Sequence, residues 1–190
     1  MRPTSLLLLL FLTPVKSFRV PQQSSLHRVK AAQSSATAGG TPLAWQERAS
    51  KVFSVDDRPV ILFDGVCNLC NGGVNFALDW DPEGAFRFAA LQSETGKALL
   101  QRAGRRPDDI SSIVLVEKER AFIKSDAVLR IARKLSNPFP FLGLAGFAFP
   151  GLARNFVYDR IANNRYNLFG RAQSCRLSDD NFESRFLSDD

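Results

Sequence analysis

The order of apolar and polar positions along the chain predicts a mixed α/β domain. Residues 60–63 form an uninterrupted apolar run of strand length, and residues 86–90 form a second run after a turn. Between them, apolar residues recur at helical spacing from Cys67 to about Trp80. We therefore expect a βαβ unit that begins near residue 60.

The same pattern predicts a helix, a hairpin and another helix after this unit. Ser93 has the N-cap position before a polar helix, and residues 113–116 and 121–124 resemble two strands of a hairpin. Ser125 is predicted to cap the helix that follows, and residues 43–55 to form a short helix before the first strand. This order, with a Cys-x-x-Cys at the start of the first βαβ helix, predicts the α/β fold class with a thioredoxin-like βαβ-α-ββα core.

Additional C-terminal helices are expected beyond that core. The stretch from Phe139 to Phe149 is apolar but broken by prolines and glycines, and it is too short to span a bilayer. It predicts either a buried helical hairpin or a surface for peripheral membrane or partner contact. Residues 152–164 predict a helix, and residues 178–190 an acidic, flexible tail, which leaves 45–177 as the domain.

The first 44 residues predict a targeting segment. Residues 1–17 place Arg2 before a short leucine-rich core, which is the order of a signal peptide. Residues 18–44 are rich in serine and basic side chains and contain no acid, which is typical of a transit peptide. Together they resemble the bipartite presequences of secondary plastids. A signal peptide with a linker, in a secreted or endomembrane-lumen protein, is the alternative.

Charge and histidine content narrow the function. Five of the 25 basic residues lie in the first 46 positions, which carry no acid, so the remainder has 20 basic against 19 acidic residues. A near-neutral remainder argues against a large phosphate-binding footprint, and we expect no nucleic-acid partner. The single histidine, His27, lies in the leader, so a processed chain has no His-based catalytic arrangement and no His-ligated metal.

The Cys-x-x-Cys pair is the strongest candidate for chemistry. Thiols three residues apart on a helix are close enough to form and break a disulfide. The helix N-terminus favours the thiolate of Cys67, so we predict Cys67 as the nucleophile and Cys70, expected to be less exposed, as the resolving thiol. No cofactor is expected. A buried structural pair, a metal or cofactor site that also uses Cys175, and an assembly module remain alternatives.

Several polar residues could support the pair. Asp64 is predicted either to accept the proton of Cys70, with a pKa raised by burial, or to anchor the turn. Ser125 and Asp126 are explained by helix capping at least as well as by catalysis. A polar-aromatic cluster further along could cover the thiols or bind a small acidic group through Arg165, and structural hydrogen bonding of Arg165 to carbonyls is the favoured alternative. Its members are Tyr158, Asn164, Arg165 and Tyr166.

Three blocks of sequence resemble the DCC family of thiol-disulfide oxidoreductases. They are residues 63–70, residues 124–129, and residues 158–171 followed by Cys175. The resemblance covers most of the mature chain and implies a thioredoxin-like fold and dithiol exchange with a protein or small-molecule thiol partner.

Two departures from thioredoxin-like redox proteins limit what this resemblance implies. Ser111 and Ser112 stand where such proteins have a cis-proline before the third strand. Asn68 and Leu69 stand between the cysteines in place of Gly-Pro. The resemblance therefore predicts neither how a protein substrate would dock nor whether the cysteine pair oxidises or reduces its partner.

Overall fold

The computed structural model describes residues 44–171 and 182–189. The described part contains one four-stranded sheet in the order β2-β1-β3-β4, with β1 parallel to β2 and the other pairs antiparallel. The strands are β1 Val60–Phe63, β2 Arg87–Ala90, β3 Val114–Val116 and β4 Ala121–Ile123. The helices are α1 Ala44–Val55, α2 Asn68–Asp79, α3 Glu94–Arg102, α4 Lys124–Ala132, α5 Phe139–Gly146 and α6 Gly151–Phe169. The predicted α/β, thioredoxin-like element order is confirmed.

The core lies on both faces of the sheet because β1 is apolar throughout. Val60 and Leu62 point to the side covered by α1 and α3, while Ile61 and Phe63 point to the side covered by α2 and α4. All four side chains are buried, so β1 is the central element of both halves of the core. Its carboxyl end therefore carries Asp64 and the two cysteines at a fixed edge of the sheet.

Helix capping is partly as predicted. The Ser93 hydroxyl accepts the amide of Gly96 at 2.9 Å, as expected for an N-cap. The prediction that Ser125 caps α4 is wrong, because that helix begins at Lys124 and Ile123 is its N-cap. The Ser125 hydroxyl instead donates to the side chain of Asn155 on α6, which ties α4 to α6.

The apolar stretch after α4 is largely exposed. It forms α5 and the turn into α6, and Phe141, Leu142, Leu144 and Phe149 keep 59–70% of their surface exposed. The buried-hairpin alternative is therefore wrong, and contact with a membrane surface or a partner remains a prediction. No helix in the described ranges is long and apolar enough to cross a membrane.

Residues 182–189 return to the domain, so the prediction of a flexible tail is wrong for them. Arg185 is buried, forms an ion pair with Asp81 and donates to the carbonyl of Phe86. The Phe186 ring packs against the phenylalanines of the α2 side of the core. The Asp189 carboxylate accepts the amides of Glu94 and Thr95 at the start of α3.

Candidate active site

Cys67 and Cys70 lie where β1 passes into α2. Cys67 is the N-cap residue of that helix, and its Sγ accepts the amide N–H of Cys70 at 3.4 Å. Both cysteines are free thiols, and their Sγ atoms and a carboxylate oxygen of Asp64 lie within 4.8 Å of one another. The predicted dithiol is therefore assembled at a helix N-terminus.

The exposures of the two thiols are the reverse of those predicted. Cys67 is fully buried, whereas Cys70 is only partly buried and lines a cavity. Residues 169–171, at the end of α6, cover Cys67. Arg171 forms an antiparallel bridge with Cys67, and the carbonyls of Phe169 and Gly170 accept the side-chain and backbone N–H groups of Asn68.

Asp64 is buried and held by four donors. Its Oδ1 accepts Gln92 Nε2 at 2.7 Å and the amide of Val66 at 3.2 Å. Its Oδ2 accepts Arg165 at 3.1 Å and the hydroxyl of Tyr166. Burial alone raises the pKa of Asp64, but these hydrogen bonds outweigh it and lower the pKa below its usual value. The predicted rise is therefore wrong, and the geometry favours the turn-anchor role.

The protonation of Cys70 is set mainly by its surroundings. Burial raises the pKa of Cys70 to about 12, and the neighbouring Cys67 and Asp64 act in the same direction. The Arg165 guanidinium acts in the opposite direction and lowers this pKa. The surroundings of Cys70 therefore favour its protonated form.

Only part of the predicted supporting cluster reaches the thiols. Arg165 is buried and donates to Asp64 and to two backbone carbonyls, so it does not present a free guanidinium for an acidic ligand. Tyr158 lines the cavity, where its hydroxyl accepts the amide of Ile113. Asn164 bonds to its own helix, at the carbonyl of Arg160.

The other residues predicted to support the cysteine pair are Ser125, Asp126 and Cys175. Ser125 and Asp126 bind Asn155 and Arg154 of α6, away from the cysteines. Cys175 lies outside the described residues.

Sequence reasoning missed Gln92, which donates to Asp64 and accepts the amide of Gly65 at 3.1 Å. The position of Gln92 after β2 could have indicated this contact. Because β2 runs parallel to β1, the carboxyl ends of both strands lie at the same edge of the sheet, where Asp64 follows β1.

A cavity of about 410 Å³ opens beside Cys70, between the sheet and the helices α2, α4 and α6. Its walls are mainly aliphatic and aromatic, and Asp64 and Cys70 are among the polar residues that line it. Gly73 also lines the cavity, and a Cβ placed on it or on Gly72 would meet no described atom of another element within 4 Å. Neither glycine is therefore in tight contact with another described element.

Comparison with known proteins agrees with this geometry. The model of the DCC1-like thiol-disulfide oxidoreductase family matches residues 61–171. A DCC family protein of Arabidopsis thaliana, named as chloroplastic, is 51% identical over 150 residues, which is 79% of this chain and 87% of that protein. The uncharacterized protein YuxK of Bacillus subtilis is 44% identical over 128 residues, 67% of this chain and 93% of its own length. No solved structure matches significantly. The chain therefore belongs to the DCC1-like family of thiol-disulfide oxidoreductases.

Proposed function

We propose that the chain exchanges electrons with a thiol or disulfide partner through the Cys67–Cys70 pair. The observation that carries this proposal is the placement of two free thiols at a helix N-terminus, where Cys67 Sγ accepts the amide of Cys70. An amide donated to sulfur favours its charged form, so Cys67 is the sulfur suited to act as nucleophile within the pair. Cys70, with its raised pKa, is suited to hold the proton.

Asp64 has a positioning role in this proposal. Its lowered pKa keeps it ionised at neutral pH, and both of its oxygens already accept hydrogen bonds. It therefore fixes the loop before Cys67 and does not take up a thiol proton. Its negative charge also helps to keep Cys70 protonated.

The test is a redox titration of the full chain in glutathione buffers, with mass mapping of the cysteines. A Cys175→Ser background removes the third thiol. We expect one two-electron transition that joins Cys67 to Cys70 and disappears in either single serine variant. Failure to form this disulfide at any buffer ratio would contradict the proposal.

A metal-binding function is the second candidate, because three potential ligand atoms lie within 4.8 Å of one another. The surroundings of Asp64 oppose it. Arg165 forms a buried ion pair with this carboxylate, and a cation would have to displace or face that guanidinium. Elemental analysis of the reduced protein decides: a stoichiometric metal that is lost on Cys175→Ala replaces the redox proposal.

We further infer that the protein acts in a plastid. The sequence of residues 1–44 resembles a bipartite presequence, and the Arabidopsis relative is named as chloroplastic. A fluorescent protein fused to residues 1–44 should enter the plastid of an alga with secondary plastids. Signal confined to the secretory pathway would instead support the secreted or lumenal alternative.

A further inference from the structure

We propose that Cys70, and not Cys67, forms the bond to the exchange partner, and that this partner is a small apolar thiol or disulfide held in the cavity beside it. The inference rests on the proposed dithiol function and reverses the order of the two sulfurs predicted from the sequence. It names the class of substrate, which neither the family match nor the motif assigns.

Access is the first argument. Cys67 is fully buried beneath residues 169–171, whereas Cys70 is partly exposed and forms part of the cavity wall. Exchange requires the attacking sulfur to approach along the S–S axis, so the sulfur that is reached first controls the reaction. In this structure a molecule in the cavity meets Cys70.

The stability of the leaving sulfur is the second argument. When a substrate thiolate attacks Cys70 of the closed pair, the Cys67–Cys70 bond breaks and Cys67 leaves as a thiolate that accepts the Cys70 amide. The Cys70 amide therefore stabilises the sulfur that leaves when Cys70 is attacked.

The complete exchange balances without a further reactant. A second substrate thiolate attacks the substrate sulfur bound to Cys70, which forms the substrate disulfide and releases Cys70. Two electrons pass from two substrate sulfurs to the two protein sulfurs, and the two substrate protons end on Cys67 and Cys70. In the opposite direction Cys70 attacks an apolar disulfide and its proton passes to the substrate thiolate that leaves. Cys67 then attacks Cys70, which closes the Cys67–Cys70 bond and releases the second substrate thiol.

The cavity defines the chemistry of the partner. Its volume of about 410 Å³ lies in the range of small-molecule sites, which are mostly apolar with a few polar groups. Three of its lining residues, Phe76, Val128 and Ile161, are 42–46% exposed. The part of the wall that faces solvent is therefore also apolar. Such a surface favours an uncharged alkyl or aryl group over a charged peptide thiol.

The segment before β3 argues against docking of an extended polypeptide. Thioredoxin-like redox proteins pair the backbone of this segment with their protein substrates. Here the amide of Ile113 donates to Tyr158, and the carbonyl of Ile110 accepts Arg165. The carbonyl of Ile113 accepts the amide of Lys124. These groups are already satisfied within the chain, so they are not available to a substrate backbone.

Two adjacent glycines provide a matched test of the cavity. Gly73 lines it and Gly72 does not, yet both lie in α2 and both have open space beside them. The probe is 2,2′-dithiodipyridine, a neutral aromatic disulfide whose release is followed by absorbance, applied to the reduced full chain with Cys175→Ser. We expect Gly73→Leu to slow the reaction at least tenfold and Gly72→Leu to change it less than twofold. Equal rates for the two variants would overturn the apolar-substrate assignment.

Single-cysteine chains test the order of the sulfurs, again with Cys175→Ser. With Cys67→Ser, the remaining Cys70 should form a pyridyl adduct in the native protein. With Cys70→Ser, Cys67 should react at least a hundredfold more slowly until urea unfolds the chain. Faster reaction at Cys67 than at Cys70, when the parent Cys175→Ser chain still forms the Cys67–Cys70 disulfide, overturns only this inference. If the parent chain does not form that disulfide, the proposed dithiol function fails as well.

Discussion

Replacing Asp64 with asparagine tests whether this carboxylate anchors the site. The side chains of Asp64 and Arg165 are only 2% and 9% exposed. Asp64→Asn therefore leaves the buried guanidinium of Arg165 without its counter-charge. It also replaces one carboxylate oxygen, which accepts hydrogen bonds, with an NH2 group that faces hydrogen-bond donors. Removing one partner of a buried ion pair costs about 3–5 kcal/mol. Arg165 keeps its bonds to two carbonyls, so we expect a loss near the lower limit, about 3 kcal/mol.

The matched control is Asp126→Asn, which removes the partner of Arg154. The side chain of Asp126 is 50% exposed, so solvent screens this pair and its loss should cost about 0.5 kcal/mol. Urea denaturation of both variants at pH 7, followed by tryptophan fluorescence, gives the two free energies of unfolding. If Asp64→Asn fails to fold, adding Arg165→Met should recover part of the stability, because the unpaired buried charge is then removed.

The same comparison has a defined pH dependence. The pKa of Asp64 is lowered in the folded protein, so its contribution to stability is complete above the unfolded value of about 3.9. It is lost as the pH falls through the lower folded value. The difference between wild type and Asp64→Asn should therefore be constant from pH 5 to 7 and shrink in more acidic buffer. A loss no larger than that of Asp126→Asn, or a difference that grows in acid, refutes the anchor role.

Three further substitutions test the fold and its exposed surface. Gly96→Ala should lower the free energy of unfolding, measured by urea denaturation, by about 1–3 kcal/mol, because a Cβ there would lie 2.0 Å from the carbonyl oxygen of Ala90. A gain in stability would contradict this packing. Phe186→Ala should cost about 3 kcal/mol, because its ring packs on two core phenylalanines, whereas a free tail would lose almost nothing. The double variant Phe141→Ser, Leu144→Ser should change the free energy of unfolding by less than about 0.5 kcal/mol, because both side chains are exposed, but it should weaken sedimentation with anionic vesicles. If the wild-type protein does not sediment with the vesicles, membrane contact is contradicted.

Features that depend on residues close together in the sequence could be predicted. The apolar run of β1, the N-cap at Ser93 and the Cys-x-x-Cys at the start of α2 are specified by neighbouring residues, and the structure contains all three. The partners of Asp64 are not specified in this way. Arg165 lies 101 residues further along the chain and approaches Asp64 because α6 packs against α2 and α4. Periodicity carries no information about such a contact, so the sign of the pKa shift of Asp64 could not be predicted.

The failure to predict the exposure of Cys67 has the same origin, and it bears on the mechanism. An N-cap side chain turns back toward the first amides of its helix, which favours a negative charge on Cys67 but also draws its sulfur beneath the loop. Residues 169–171 then complete its burial. The sulfur that accepts the helix amide is therefore the more buried of the two. Because the two thiols are one helical turn apart, Cys67 accepts that amide while Cys70 lines the cavity, and the exchange that we propose gives the two sulfurs different roles for this reason.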